Sequence, residues 1–200
     1  MRNSTLKICV MLLAFCTSII HLQAMDEWDG ATAKGFYSGT GTKFDPYRIF
    51  TASQFLYFLQ QSKDGNTFSG QYIELCNDIA FKSNIGLVEG GDFYGDFDGN
   101  DHIIQVNEYW TSVYYWYGWT LFNLYGSMHD VQFINANEMM KIYTGGILYN
   151  CRFEYPSGKY HGWWTIYLEG GTIVNCVSNS AHFQNKYEQG GLQSIIYQLP

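Results

Sequence analysis

The chain has 200 residues, of which 46% are hydrophobic, 18% aromatic and only 14% charged, with 21 glycines and three prolines. Such a profile excludes a disordered segment and a charge-laced coiled coil, and points to an aromatic, glycine-punctuated globule. Eleven basic against 18 acidic residues leave a net charge of −7, which excludes a general binder of nucleic-acid backbone.

Arg2 and Lys7 precede an apolar stretch from Ile8 to Ile20, and Leu22, Gln23 and Ala24 follow it. A basic start, a short apolar centre and a small residue at the exit predict a signal peptide over residues 1–24, cleaved near Ala24. The stretch is too short for a transmembrane helix, which needs ~20 residues, and no later segment spans a bilayer. Leu13-Ala14-Phe15-Cys16 offers a looser alternative, a lipoprotein box in which Cys16 carries lipid, but Phe15 stands where a small residue belongs. Either route predicts a secreted or cell-surface protein. Removing residues 1–24 takes away two basic residues and no acidic one, so the net charge becomes −9. Export permits disulfides, yet Cys76, Cys151 and Cys176 are odd in number and cannot all pair internally. No Cys/His spacing suggests zinc, and neither metal nor cofactor is expected.

Residues 25–66 read as an N-terminal cap containing one helix, over about 52–64. Thr51-Ala52-Ser53-Gln54 fits a capping box, Phe55, Leu56, Phe58 and Leu59 form an apolar stripe, and Lys63-Asp64-Gly65 closes the element. That stripe is expected to pack on the sheet that follows.

From residue 67 to 200 the helical period gives way to short apolar runs between Gly, Asn and Asp: Tyr72–Leu75, Ile79–Phe81, Ile103–Val106, Val131–Ile134, Ile147–Phe153, Ile166–Leu168 and Ile173–Val177. Gly145-Gly146-Ile147-Leu148-Tyr149-Asn150-Cys151 aligns with Gly170-Gly171-Thr172-Ile173-Val174-Asn175-Cys176, and Gly126 to Phe133 aligns with Gly146 to Phe153. The copies are 25 and 20 residues apart, a period that marks a solenoid. The fold expected is all-β, a short parallel β-helix behind its capping helix. A sandwich would explain the strands but not the repeated word. Stacking would build two inward ladders, Met128/Leu148/Ile173 and Val131/Cys151/Cys176, with Asp130, Asn150 and Asn175 at a corner. Stacked coils ~4.8 Å apart would leave Cys151 and Cys176 either bonded or as neighbouring buried thiols.

The residues also resemble a known group. Gly39-Thr40-Gly41, Asp45-Pro46-Tyr47-Arg48-Ile49, Thr51 to Leu56 and Leu75-Cys76-Asn77-Asp78-Ile79 look like the opening of secreted Bacteroidetes-type β-helix proteins with GLUG-type repeats. Phe93-Tyr94-Gly95-Asp96-Phe97-Asp98-Gly99-Asn100-Asp101-His102-Ile103-Ile104 is similar to that group's F-x-G-x-F-D-G-N-x-H-x-I word, and Leu121 to Phe133 to the coil after it. The resemblance covers about Gly39 to Val177. It implies a right-handed parallel β-helix with an N-terminal helical cap, found mostly in adhesin-like surface proteins, and implies little about activity. The chain departs from the group in an aromatic insertion at 108–119 and in stopping after few coils, so an oligomer or a partner at the open coil end is expected.

Asp96-x-Asp98-x-Asn100 has the opening spacing of a calcium loop, but Asp101 replaces the needed glycine and Asn107 the closing Glu, so a turn at Asp98-Gly99 is the reading preferred. His102, His129, His161 and His182 lack metal-type spacing and read as surface or turn residues. Arg48 and Arg152 are the only arginines after the signal segment, Arg48 within the cap motif and Arg152 beside a repeat corner, and no nucleophile elbow is present, so no catalytic residue is assigned. The aromatics Trp110, Tyr114, Trp116, Trp119, Trp163 and Trp164 exceed what a slim interior holds and are the candidate ligand-binding residues. The expected function is a secreted or surface-exposed, non-catalytic binding or adhesion module recognising glycan or a host surface protein. A polysaccharide lyase or glycosidase and a structural surface subunit are the alternatives.

Overall fold

The computed structural model describes residues 24–81, 90–106, 121–135, 140–154, 166–178, 183–185 and 197–198. The cleavage region upstream of Ala24, Cys9 and Cys16, and all six candidate aromatics (Trp110, Tyr114, Trp116, Trp119, Trp163 and Trp164) lie outside the described residues.

In chain order the elements are β1 (Asp26–Glu27), β2 (Tyr47–Ile49), the helix α1 (Ala52–Lys63), β3 (Tyr72–Leu75) and β4 (Ile79–Ala80). Next come β5 (Asp92–Phe93), β6 (Asp96–Asp98) and β7 (Ile103–Gln105), then β8 (Phe122–Leu124), β9 (Ser127–His129) and β10 (Gln132–Ile134). They are followed by β11 (Met140–Tyr143), β12 (Ile147–Tyr149) and β13 (Arg152–Glu154), then β14 (Ile166–Glu169), β15 (Thr172–Val174) and β16 (Val177–Ser178). The last are β17 (Phe183–Asn185) and β18 (Tyr197–Gln198).

From β3 to β17 successive strands step from one sheet to the next, while β2 and β3 pair within one sheet on either side of helix α1. The first sheet runs β1-β4-β7-β10-β13-β16-β18, the second β5-β8-β11-β14-β17, and the third β2-β3-β6-β9-β12-β15. Every strand pairing in the three is parallel, a parallel β-helix-like arrangement.

The expected inward ladders are in register. Met128 pairs with Leu148 and Leu148 with Ile173, and all three are buried, as are Val131, Cys151 and Cys176. The three described cysteines are free thiols. Cys151 and Cys176 send their S–H groups toward the Tyr149 and Val174 carbonyls at 3.3 and 3.4 Å.

Two of the apolar runs are each divided at the corner expected of Asn150 and Asn175. Ile147–Phe153 splits into β12 and β13 at Asn150, and Ile173–Val177 into β15 and β16 at Asn175. Asp130, Asn150 and Asn175 hold φ of 51°, 54° and 50°, the left-handed region that Asx side chains tolerate. Asn175 Nδ2 donates to Asn150 Oδ1 at 2.8 Å, so the corner carries a side-chain hydrogen bond between neighbouring coils. The apolar run continues through the corner because Cys151 and Cys176 follow it directly and turn inward.

The glycines of the repeat form the opposite corner. Gly126, Gly146 and Gly171 precede the register-matched residues Ser127, Ile147 and Thr172. A Cβ on Gly126 would meet the Gly95 carbonyl oxygen at 2.0 Å, and one on Gly146 the Leu124 oxygen at 2.3 Å. Coils pack too closely there for any side chain.

Helix α1 starts where Thr51 Oγ1 accepts the Gln54 N–H at 3.2 Å. The Gln54 side chain reaches past the usual partner and accepts from Phe50 N at 2.8 Å. Asp26 Oδ2 takes the Ala52 N–H at 2.8 Å, putting a carboxylate at the positive end of the helix. The buried face (Phe55, Leu56, Phe58, Leu59) enters the core, where Phe58 meets Phe93 edge-on at 5.4 Å and Phe55 meets Phe97 at 6.3 Å. Much of the phenylalanine thereby finds its place: Phe55, Phe58, Phe68, Phe81, Phe93, Phe97, Phe122, Phe133 and Phe153 are all fully buried. Among the described residues no helix is long and apolar enough to cross a membrane.

Candidate functional site

Strand residues alternate between core and solvent, so the third sheet offers two outward rows. The registers place Tyr72, Asp96, Ser127, Ile147 and Thr172 in one row, and Arg48, Glu74, Asp98, His129, Tyr149 and Val174 in the other. Over the lower coils this face is a cleft of about 510 Å³, lined by Lys43, Pro46, Tyr72, Glu74, Asp96, Asp98, His129 and Tyr149. Lys43 reaches it from a tight turn in which Thr42 and Asp45 exchange backbone hydrogen bonds at 3.1 and 3.2 Å.

At the centre, three carboxylates converge on one imidazole. His129 Nε2 lies 3.2 Å from Asp96 Oδ1, while Nδ1 lies 2.7 Å from Asp130 Oδ2 and 3.6 Å from Asp98 Oδ1. Ser127 Oγ donates to the other Asp96 oxygen at 2.5 Å. The imidazole also stacks on the Tyr149 ring, centroids 4.5 Å apart at 15°. Burial, the largest influence on His129, opposes its charge, but the hydrogen bonds to Asp96 and Asp130 and the nearby Asp98 charge outweigh it and raise the pKa to about 9. The same contact with His129 holds the Asp96 carboxyl below its ordinary value, with Ser127 helping and burial opposing. His129 is therefore an imidazolium at neutral pH, clamped between coils.

Asp98, His129 and Asp130 bring three donor atoms within 4.8 Å of one another, close enough for a divalent cation that displaced the Nδ1 proton. Asp96 and Asp98 share the face as their i, i+2 spacing requires, but Asn100 does not join them. Its N–H donates to Asp98 Oδ1 at 2.8 Å, and Asn100 and Asp101 take φ of 48° and 61°, which is the turn expected at Asp98-Gly99. Burial and Glu74 push the Cys76 thiol up to about 11, so it is no nucleophile near neutral pH.

The remaining histidine and arginine readings divide. His102 Nδ1 sits 2.9 Å from Asp78 Oδ1, which also accepts the Ile103 N–H, a strand-entry contact. His129, expected at the surface or in a turn, instead ends β9 with a side chain only 12% exposed. His161 and His182 lie outside the described residues. Arg48 bridges Asp45 at 3.1 Å and Glu74 at 3.4 Å, and Arg152 pairs with Glu154.

Beside the cleft, a shallower depression of about 270 Å³ shares Tyr72 and Asp96 and continues past Ser127 to Ile147. Its border carries a tyrosine ladder. Tyr94 and Tyr125 stack at 4.5 Å and 2°, and Tyr125 and Tyr143 at 4.7 Å and 7°. Rings stacked this closely hide their shared faces and turn edges outward, so the ladder supplies a rim more than a stacking platform.

Comparison with known proteins yields no match: no family model, no curated protein and no solved structure is similar to this chain.

Proposed function

We propose that the protein is a secreted or cell-surface right-handed parallel β-helix of the GLUG-like kind, acting as a non-catalytic binding or adhesion module that recognises glycan. The observation that carries the reading is the cleft on the third sheet. Its size suits a small-ligand site, and its lining of two tyrosines, three carboxylates, an imidazolium and a lysine matches the edge-and-hydroxyl chemistry of a sugar. Right-handedness follows the general rule for crossovers between parallel strands.

The electrostatics favour binding over catalysis. A glycosidase needs a carboxyl whose pKa is raised to act as acid, whereas Asp96 is lowered. A general base works best with a pKa near the working pH, and His129 at about 9 holds its proton. The tryptophans Trp110, Trp116, Trp119, Trp163 and Trp164, with Tyr114, stand as a second proposed surface on the composition of their segments.

A glycan array read with the wild-type protein and with Tyr72→Ala and Tyr149→Ala variants tests the proposal. Binding to at least one glycan family that both variants lose supports it. Release of new reducing ends or unsaturated products from a polysaccharide panel would transfer the protein to the enzyme class.

A further inference from the structure

The cleft's shape and charge restrict what it can hold. Its outward residues come from four successive coils, Tyr72 and Glu74 on β3, Asp96 and Asp98 on β6, His129 on β9 and Tyr149 on β12. Parallel strands ~4.8 Å apart make that span ~14 Å along the stacking direction, while each short strand offers two outward positions ~7 Å apart across it. The adjoining depression runs beside it along the same axis and over the same four coils, from Tyr72 and Asp96 past Ser127 to Ile147. A ligand that uses the whole face therefore lies along the coil axis and meets a polar group at each coil.

The charges on that path are lopsided. Glu74, Asp96 and Asp98 face the cleft and Asp130 backs it, against Lys43 and His129. His129 is already bound to Asp96 and Asp130, and the nearby Arg48 to Asp45 and Glu74. A uronate, sialate or sulfate laid along these rows would put its anions against fixed carboxylates with one lysine to meet them.

Resting on the binding reading above, we infer that the cleft takes an uncharged glycan as an extended chain of several sugars along the coil axis, not a terminal sugar and not an acidic polysaccharide. The carboxylates accept hydrogen bonds from sugar hydroxyls, coil after coil, and reject anions. Glu74 and Asp98 are the charge-selecting residues.

The test is binding to immobilised ladders of defined length: neutral cello-, manno- and malto-oligosaccharides beside oligogalacturonates and sialylated chains. The expected result is binding to a neutral ladder that rises by roughly tenfold between disaccharide and tetrasaccharide and then levels, with acidic ladders at background. In a Glu74→Gln/Asp98→Asn variant, folded by circular dichroism, the ratio of neutral to acidic binding falls. A monosaccharide bound as well as a tetrasaccharide, or an oligogalacturonate bound as well as any neutral chain, overturns this inference and leaves the binding function standing. Silence on every ladder overturns both.

Discussion

The imidazolium of His129 joins Asp96 and Asp98 of β6 to Asp130 at the corner beyond β9, and the ring lies against Tyr149 of β12. Because folding raises this group from 6.5 to about 9, its contribution to stability is complete below 6.5 and is lost as pH rises through about 9. Asp96, lowered on folding, works with the opposite sign and loses its contribution as pH falls through its folded value. Thermal melts of the wild type should thus decline on the alkaline side toward pH ~9, and the decline should be shallower in His129→Gln. An identical alkaline slope in both proteins would remove His129 from the account. Asn150 offers a second residue-scale prediction. Its positive φ and its bond from Asn175 together predict that Asn150→Ala costs ~1–2 kcal/mol in urea unfolding and Asn150→Gly less, since glycine relieves the strain but not the lost bond.

At the scale of elements, helix α1 closes the phenylalanine core as much as it forms a unit of its own. Phe58 has ring neighbours in Phe55, Phe68, Phe93, Phe97 and Phe122, so Phe58→Ala should cost ~3–5 kcal/mol in denaturant unfolding, far beyond the ~1 kcal/mol expected for removing the Thr51 cap. Equal costs would mean that the helix stands apart from the coils. Much of this was legible in the residues. The capping word announced α1, and the Gly and Asx words announced the two tight corners, because both signals are local. The run Ile147–Phe153 passes through one of these corners unbroken, since one left-handed asparagine turns the chain without interrupting the apolar run.

Across the molecule, the longest connection of each coil from β3 to β17 falls at one place. Segments 82–89, 107–120, 136–139, 155–165 and 179–182 each fall between a strand of the first sheet and a strand of the second, whereas the glycine and asparagine corners stay short. This uneven spacing concealed the site. Asp98 and His129 pair at a separation of 31 residues, while the repeats legible in the sequence are 20 and 25 apart, so no fixed period could bring them together. The carboxylates and tyrosines were visible one by one; their shared face required the register. The most direct test of the central claim is calorimetric titration of a neutral oligosaccharide selected by the array into wild type, Tyr72→Ala and Trp110/Trp116/Trp119→Ala. The account predicts that Tyr72→Ala weakens binding by at least roughly tenfold. Full affinity in Tyr72→Ala, with loss in the tryptophan variant, would contradict it and move the binding surface to the aromatic insertion.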